Sequence, residues 1–354
     1  MKNKKALILL LITGGVIGLA AVILTAMGNP ANMGICVACF IRDISGALGL
    51  DTAATVQYIR PEIIGFILGS FILSLVTREF RPTGGSSPAL RLVISFFMMI
   101  GALVFLGCPL RMVLRLAGGD LNALIGLVGF IAGILLGGVF LKKGFSLGRA
   151  QPQPVANGLV APVLAVVLLV FLLVRPAFIF FSAEGPGSMQ APIAIALIAG
   201  LVVGGLAQRS RMCMAGGIRD VFLIKNPTLL MGYIAVFVVA LIGNIILGKV
   251  NIGFENQPIA HTNFLFNFLG MALVGLAAVM LGGCPLRQVI MAGEGNGDAT
   301  IALVGMMLGA ATAHNFGIAA SPAGVPANGQ IAVVIGLVLL VVIALMNIRK
   351  KGVA

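Results

Sequence analysis

The chain has 354 residues, of which 60% are hydrophobic and only 9% are charged, and its mean hydropathy is +1.14. Soluble domains carry about a quarter charged residues, so this composition excludes an ordinary soluble protein and predicts an integral membrane protein. The formal net charge is +13. The basic residues stand singly or in short clusters between apolar runs. That pattern is typical of loops that orient membrane spans, and it argues against nucleic acid as a partner.

Ten apolar runs follow one another along the chain, and most approach about 20 residues, the length that crosses a bilayer. The first run is too long for the core of a cleaved signal, about 7–15 residues, so it predicts an uncleaved span. The runs at 62–77 and 298–313 are the least secure spans. The ten runs are 6–27, 62–77, 91–107, 121–141, 159–181, 190–207, 229–247, 263–281, 298–313 and 330–347.

The distribution of basic residues predicts the orientation. If the N-terminus is cytoplasmic, ten spans place 17 of the 23 lysines and arginines on the cytoplasmic side, which agrees with the positive-inside rule. We therefore expect a multi-pass protein of the cell inner (plasma) membrane with both termini in the cytoplasm. The other six residues are Arg42, Arg60, Arg111, Arg115, Arg175 and Lys249.

Two sequence elements occur twice at nearly the same offset. Gly107-Cys108-Pro109-Leu110-Arg111 recurs at 283–287, which is 176 residues later. Cys36 with Arg42-Asp43 recurs as Cys213 with Arg219-Asp220, at an offset of 177. Chance recurrence of both elements is very improbable, so the chain is predicted to be duplicated.

The predicted fold is an all-α integral membrane protein of two repeats with about five spans each. The first repeat covers 1–181 and the second covers 182–354. An odd number of spans inverts the second repeat relative to the first, so that broken segments from the two repeats meet near the midplane of the membrane. The broken or re-entrant segments are expected near 34–43, 107–117, 211–220 and 283–293.

The Cys-Pro-Leu-Arg string suggests an anion site. Proline fits the first turn of a helix, so the cysteine before it lies at or beside the N-cap, where free N–H groups attract anions and favour a thiolate. The arginine adds positive charge one turn further on. A soft sulfur atom there suits an anion that contains sulfur or selenium. The candidate substrate-path residues are Cys36, Cys39, Cys108, Cys213, Cys284, Arg42, Arg111, Arg219 and Arg287.

Other interpretations of these residues remain open. A buried cysteine is often simply packed, and Arg42 and Arg219 could pair with the aspartates that follow them. Arg111 and Arg287 have no adjacent acid. Asp120 and Asp298 each precede an apolar run and are expected to cap a helix, whereas Glu294 has no assignment.

Three alternative functions follow from the same residues. Cys36-Val37-Ala38-Cys39 is a CxxC, so the alternative to a transporter is a membrane thiol–disulfide oxidoreductase. A purely structural membrane subunit is the third possibility. No metal site or cofactor is predicted, because both histidines lie far from paired cysteines and no phosphate-binding loop occurs.

With its paired Gly-Cys-Pro-Leu-Arg elements, upstream cysteines and ten apolar runs, the chain resembles the YeeE/YedE family of sulfur transporters. It is most similar to the YedE-type branch linked to selenium metabolism. The resemblance implies a transporter, not an enzyme, that takes up thiosulfate or a selenium compound along Cys36, Cys108, Cys213 and Cys284. It also implies a separate TusA-like cytoplasmic sulfur carrier as a partner.

Overall fold

The computed structural model describes residues 2–348, which form fourteen helices and one two-stranded antiparallel sheet of β1 (Thr83–Gly84) and β2 (Gln151–Pro152). Arg349, Lys350 and Lys351, which contribute to the predicted cytoplasmic C-terminus, lie outside the described residues. The helices are α1 (Lys2–Ala26), α2 (Val37–Ala47), α3 (Pro61–Val76), α4 (Pro88–Phe105), α5 (Pro109–Ala117), α6 (Asn122–Lys142), α7 (Val155–Val174), α8 (Ile193–Ser210), α9 (Met214–Ile224), α10 (Thr228–Ile246), α11 (Phe264–Leu281), α12 (Pro285–Gly293), α13 (Gly297–Asn315) and α14 (Ala327–Met346).

Within this described range, eight helices are long and apolar enough to cross a membrane. They match eight of the ten apolar runs and confirm an all-α, multi-pass membrane protein. Three of them continue, after a short break, into one of the helices α5, α9 and α12. The eight helices are α1, α4, α6, α7, α8, α10, α11 and α14.

The runs at 62–77 and 298–313 form α3 and α13, which are not among those eight. The 16 residues of α3 reach about 24 Å, less than the roughly 30 Å of a bilayer core. Helix α13 has polar residues at both ends, Asp298 at its start and His314-Asn315 at its end. Both helices pack along spanning helices, α3 against α8 and α13 against α4. Of the ten predicted spans, eight are therefore helices long and apolar enough to cross a membrane, whereas α3 is shorter and α13 is less apolar.

Small residues set how closely the helices pack. At the contact of α6 with α11, a Cβ added to Gly133 would collide with the backbone carbonyl of Ala272. The contact of α3 with α8 is equally close, since a Cβ at Gly69 would meet the carbonyl of Leu201. Such contacts let backbones approach where lipid offers no hydrophobic drive for helix association.

Four short helices, α2, α5, α9 and α12, begin immediately after a cysteine. Cys36, Cys108, Cys213 and Cys284 are their N-cap residues, each with extended backbone. The prediction that proline would place Cys108 and Cys284 at a helix N-terminus is correct. The residue that ends the preceding helix is left-handed in three cases, Leu106, Arg211 and Gly282, so the chain turns sharply before Cys108, Cys213 and Cys284.

The short helices match in pairs. Helices α2 and α9 each have 11 residues, and α5 and α12 each have nine. The helices of each pair begin 177 and 176 residues apart, the offsets of the sequence elements that they carry. The division into repeats at 181/182 and the re-entrant character of these segments in a membrane remain predictions.

The close contact at Gly133 gives a stability prediction. Gly133→Ala should lower the stability of the protein in detergent by about 1–3 kcal/mol, the usual result of overpacking, because the new methyl group meets a backbone atom. Gly138→Ala in the same helix is the control, since its Cβ would find only a leucine side chain, Leu223 Cδ2, at 3.6 Å. Thermal melting of both purified variants measures the difference. Equal melting temperatures would contradict the close packing of α6 on α11.

Candidate functional site

The cysteines use their N-cap positions in two ways. The sulfurs of Cys36 and Cys213 accept hydrogen bonds from the third residue of their own helices, from the amides of Cys39 and Gly216, both at 3.3 Å. Cys108 and Cys284 make no such capping bond. Their sulfurs therefore remain available for contacts with other side chains.

Three of the thiols form a first cysteine cluster, defined as Cys36, Cys39 and Cys108. The sulfur of Cys36 lies 2.6 Å from that of Cys39 and 4.0 Å from that of Cys108. All three are free thiols and all are buried. The starts of α2 and α5, two separate helices, thus bring these three sulfurs together.

Arg111 lies beside this cluster and is completely buried. Its Nη1 is 3.6 Å from the sulfur of Cys39, and its guanidinium also donates to the carbonyls of Leu106, Asn32 and Ile259. Of the carboxylates in residues 2–348, none forms an ion pair with it. A buried arginine neutralised by dipoles alone is an attractive partner for an anion.

The glycine of the Gly-Cys-Pro-Leu-Arg element has a packing role. A Cβ at Gly107 would lie 2.9 Å from Cδ of Arg111, and a Cβ at Gly283 would lie 2.8 Å from Cγ of Arg287. In both copies the arginine folds back over the break in the helix, and only glycine leaves room for it. The five-residue element is thus one structural unit.

The second cysteine cluster, defined as Cys213 and Cys284, lies at the other pair of breaks. The two side chains are neighbours, and the hydroxyl of Tyr233 is 3.9 Å from the sulfur of Cys284. Cys108 is near enough to Cys284 for their charges to interact. The five predicted cysteines are therefore assembled into two clusters inside the helix bundle.

Arg287 differs from Arg111 because it has an acidic partner. Its two terminal nitrogens bind the two oxygens of Glu294 at 2.9 and 3.1 Å. Arg287 has no adjacent acid in the sequence, but the fold pairs it with Glu294. Glu294 follows Arg287 by seven residues, two turns along the same helical face, and this spacing was the sequence signal that could have revealed the pair.

Glu294 belongs to a larger ionic network with Glu79, Arg209, Arg211 and Arg287. Arg211 binds Glu294 at 2.9 Å and Glu79 at 3.0 Å, and Arg209 binds Glu79 at 2.6 Å. A hydrogen bond from Gln208, together with the charges of Arg211 and Arg209, holds the pKa of Glu79 below its usual value. Sequence reasoning missed this network, because its members come from three separate segments.

The predicted pairing of Arg42 and Arg219 with their neighbouring aspartates is present. Arg42 binds Asp43 at 2.6 Å, and Arg219 binds Asp220 at 2.8 Å. Asp43 also binds Arg60 at 2.6 Å, and all three side chains are almost fully buried. The Arg219–Asp220 pair is partly exposed. Arg42 and Arg219 thus have structural partners, unlike Arg111.

Two aspartates expected to cap helices behave differently. Asp120 is not the N-cap residue of α6, which is Leu121, but it accepts from the amide of Asn122, the first residue of that helix, and it also forms a buried ion pair of 2.6 Å with Arg115. Asp298 does not cap α13, because Asn296 is the N-cap residue. Asp298 instead accepts from Ser86 at 2.6 Å.

Glu62 is a buried acid that sequence reasoning did not single out. One carboxylate oxygen accepts from Asn29 at 2.7 Å, and the other has no hydrogen-bond partner in the described structure. The same Asn29 amide donates to Gly34, two residues before Cys36. Glu62 is therefore linked to the first cysteine cluster through one asparagine.

A cavity of about 680 Å³ opens beside the loop that contacts Arg111. His261 lines this cavity, and Ile259, two residues earlier, accepts a hydrogen bond from Arg111 at 3.1 Å. Burial lowers the pKa of His261. The loop 259–261 therefore contacts both the polar cavity and the arginine of the first cluster.

Fold and site together define a multi-pass, all-α membrane protein whose broken helices gather thiols and arginines in its interior. A family model described as "Sulphur transport" matches residues 209–351. The chain is also similar to the thiosulfate transporter TsuA of Escherichia coli strain K12, with 30% identity over 112 residues. The TsuA of Spirochaeta thermophila is 32% identical over 114 residues.

These matches show that part of the chain is similar to sulfur-transport proteins, in line with the resemblance that its repeated motif indicates. The aligned stretches cover 32% of this chain in both cases, and 31% and 34% of the two relatives. The chain thus spans about a third of the length of the curated relatives that it matches. The family model includes Cys213 and Cys284.

The two Arg–Asp pairs give a stability prediction with an internal control. Asp43→Asn leaves Arg42 and Arg60 buried without a counter-charge, so it should lower the free energy of unfolding by about 3–5 kcal/mol. Asp220→Asn disturbs only the partly exposed pair and should change it by at most about 1 kcal/mol. Thermal melting in detergent distinguishes the two variants. Similar losses in both would refute the structural role of Asp43.

Proposed function

We propose that this protein is an inner-membrane transporter, or channel, for a small anion that contains sulfur or selenium. The observation that carries the proposal is the contact of three buried thiols beside Arg111, a buried arginine without an ion-pair partner in the described chain. A positive charge attracts the anion, and soft sulfur atoms are suitable contacts for a sulfur or selenium atom.

The order of contacts supports a path along the cysteines. An anion that enters from the cavity at His261 meets Arg111 first and then the first cysteine cluster. Cys108 is within electrostatic range of Cys284, so we propose that the path continues from it to the second cluster. Weak S–H···S contacts can hold such an ion at successive positions without trapping it, because sulfur is a weak donor and acceptor.

The relatives' names support the substrate class, since both are thiosulfate transporters. A selenium compound is the second substrate of the same proposal, on the basis of the Cys-Pro-Leu-Arg form of the motif. Both termini are proposed to be cytoplasmic, because the predicted loops on that side hold most of the basic residues. A separate TusA-like carrier would receive the sulfur atom there.

The first test is uptake of labelled thiosulfate and of labelled selenium compounds into cells that lack their native importers. Wild-type protein should accumulate at least one of them, and Cys108→Ala should reduce uptake to near background because the line of thiols is interrupted. Met112→Leu on the same buried helix is the control and should retain uptake, since it conserves volume. Western blotting confirms equal amounts of each variant in the membrane.

Two results would show which part of the proposal is wrong. If the wild type accumulates neither label above background, the transport proposal is wrong. If Cys108→Ala transports as well as Met112→Leu does, transport does not use the first cysteine cluster.

A membrane thiol–disulfide oxidoreductase is the second candidate, because the sulfurs of Cys36 and Cys39 lie only 2.6 Å apart. In that reaction the two thiols would form one S–S bond and release two protons and two electrons to an oxidant such as a quinone. No other pair of cysteines in the chain has CxxC spacing. The transporter should depend on Cys108 and Cys284, whereas the oxidoreductase should depend on Cys36 and Cys39.

Alkylation of denatured protein distinguishes the two candidates. If the protein is purely a transporter, a maleimide reagent should label all five cysteines both before and after reduction. A redox enzyme should show two fewer labels until it is reduced, and Cys36→Ser or Cys39→Ser should abolish this difference. Mass spectrometry of the intact protein counts the labels.

A further inference from the structure

We propose that Arg211 and Arg287 form a second anion-binding site, and that the carboxylate of Glu294 occupies this site as an internal competitor of a small oxyanion. The ligand class is a doubly charged oxyanion such as sulfate or thiosulfate. That this oxyanion is also the transported ion rests on the proposed function, whereas the existence of the binding site does not.

The geometry is that of oxyanion recognition. Arg287 donates two parallel hydrogen bonds to Glu294, at 2.9 and 3.1 Å, and Arg211 adds a third at 2.9 Å. A planar guanidinium pairs with carboxylates and with tetrahedral oxyanions through the same fork of donors. Two arginines that hold one carboxylate can therefore hold such an ion in its place.

The location of the two arginines connects the site to the second cysteine cluster. Arg287 lies three residues after Cys284, and Arg211 lies two residues before Cys213. Arg211 has a left-handed backbone conformation, with φ 57°, which is unfavourable for a residue with a side chain and is found often at functional sites. The site thus borders both thiols of this cluster.

Access and charge are also suitable. The side chains of Arg287 and Glu294 are each 11% exposed, whereas that of Arg211 is 47% exposed, so an ion from water can reach the site past Arg211. Glu79 holds Arg211 from the other side at 3.0 Å. Displacement of Glu294 would leave three arginines of the network, Arg209 included, around one acid.

The matched position in the first half lacks this competitor. Gly118 stands 176 residues before Glu294, at the offset of the repeated element. Accordingly, Arg111 forms no ion pair in the part of the chain that the structure describes, whereas Arg287 forms one. The acid is therefore present in the second copy of the shared element and not in the first.

The test is binding of sulfate and of thiosulfate to the purified full-length protein, measured by radioligand binding and by the anion-dependent rise in melting temperature. Glu294→Gln removes the competing charge but keeps the shape. It should bind both anions roughly tenfold more tightly than the wild type, the effect of about one charge-assisted hydrogen bond. Adding Arg287→Ala to Glu294→Gln should abolish the gain.

The control is Glu255→Gln, which makes the same change in net charge at an exposed residue that has no ion pair in residues 2–348. It should bind anions as the wild type does. If Glu294→Gln is not folded, Glu294→Asp is used, since it keeps the charge but shortens the reach, and should bind about threefold more tightly.

The outcomes separate this inference from the proposed function. The inference is overturned if Glu294→Gln binds both anions with the same affinity as the wild type, even where uptake of thiosulfate is intact. The same holds for Glu294→Asp where that variant is used. A gain that disappears with Arg287→Ala supports it, even where the wild type transports nothing. A gain that Glu255→Gln reproduces shows a general effect of net charge and also overturns it.

Discussion

The structure depends on how broken helices satisfy their backbone inside an apolar helix bundle. Free N–H groups are costly in lipid, and here four helices begin within the bundle, each with a cysteine at its N-cap. Cys36 and Cys213 accept from those amides through sulfur. The breaks therefore create the positive helix ends that attract an anion, and the thiols are already positioned there.

The arginines of the repeated element respond to the same constraint. The aliphatic part of each side chain packs over the glycine that precedes the cysteine, and the guanidinium binds carbonyls or an acid. Arg111 binds the carbonyls of Leu106, Asn32 and Ile259, whereas Arg287 binds a carboxylate. Identical pentapeptides thus have different electrostatics, because their surroundings differ.

The sequence predicted the local structure at these breaks better than it predicted which side chains pair there. Proline placed Cys108 and Cys284 at helix starts, since its fixed φ suits the first turn. The pair of Asp43 with Arg60 was missed because a loop of uncertain path separates the two residues. Asp298 was wrongly expected to cap α13, because Asn296 fills that position and Ser86, from a distant loop, uses the aspartate. Contacts within one helical turn follow from spacing, but contacts between segments require the fold.

Two differences between the matched copies make the two clusters of the proposed path unequal. Cys39 has Gly216 as its counterpart, so the first cluster has one extra thiol; Gly118 has Glu294 as its counterpart, so the second has one extra acid. The extra thiol stands beside the arginine without an ion pair in the described residues, which strengthens contact with a soft anion. The extra acid covers the arginine of the second copy, which weakens retention of that anion. Along the proposed path, attraction would thus be greater at the first cluster than at the second.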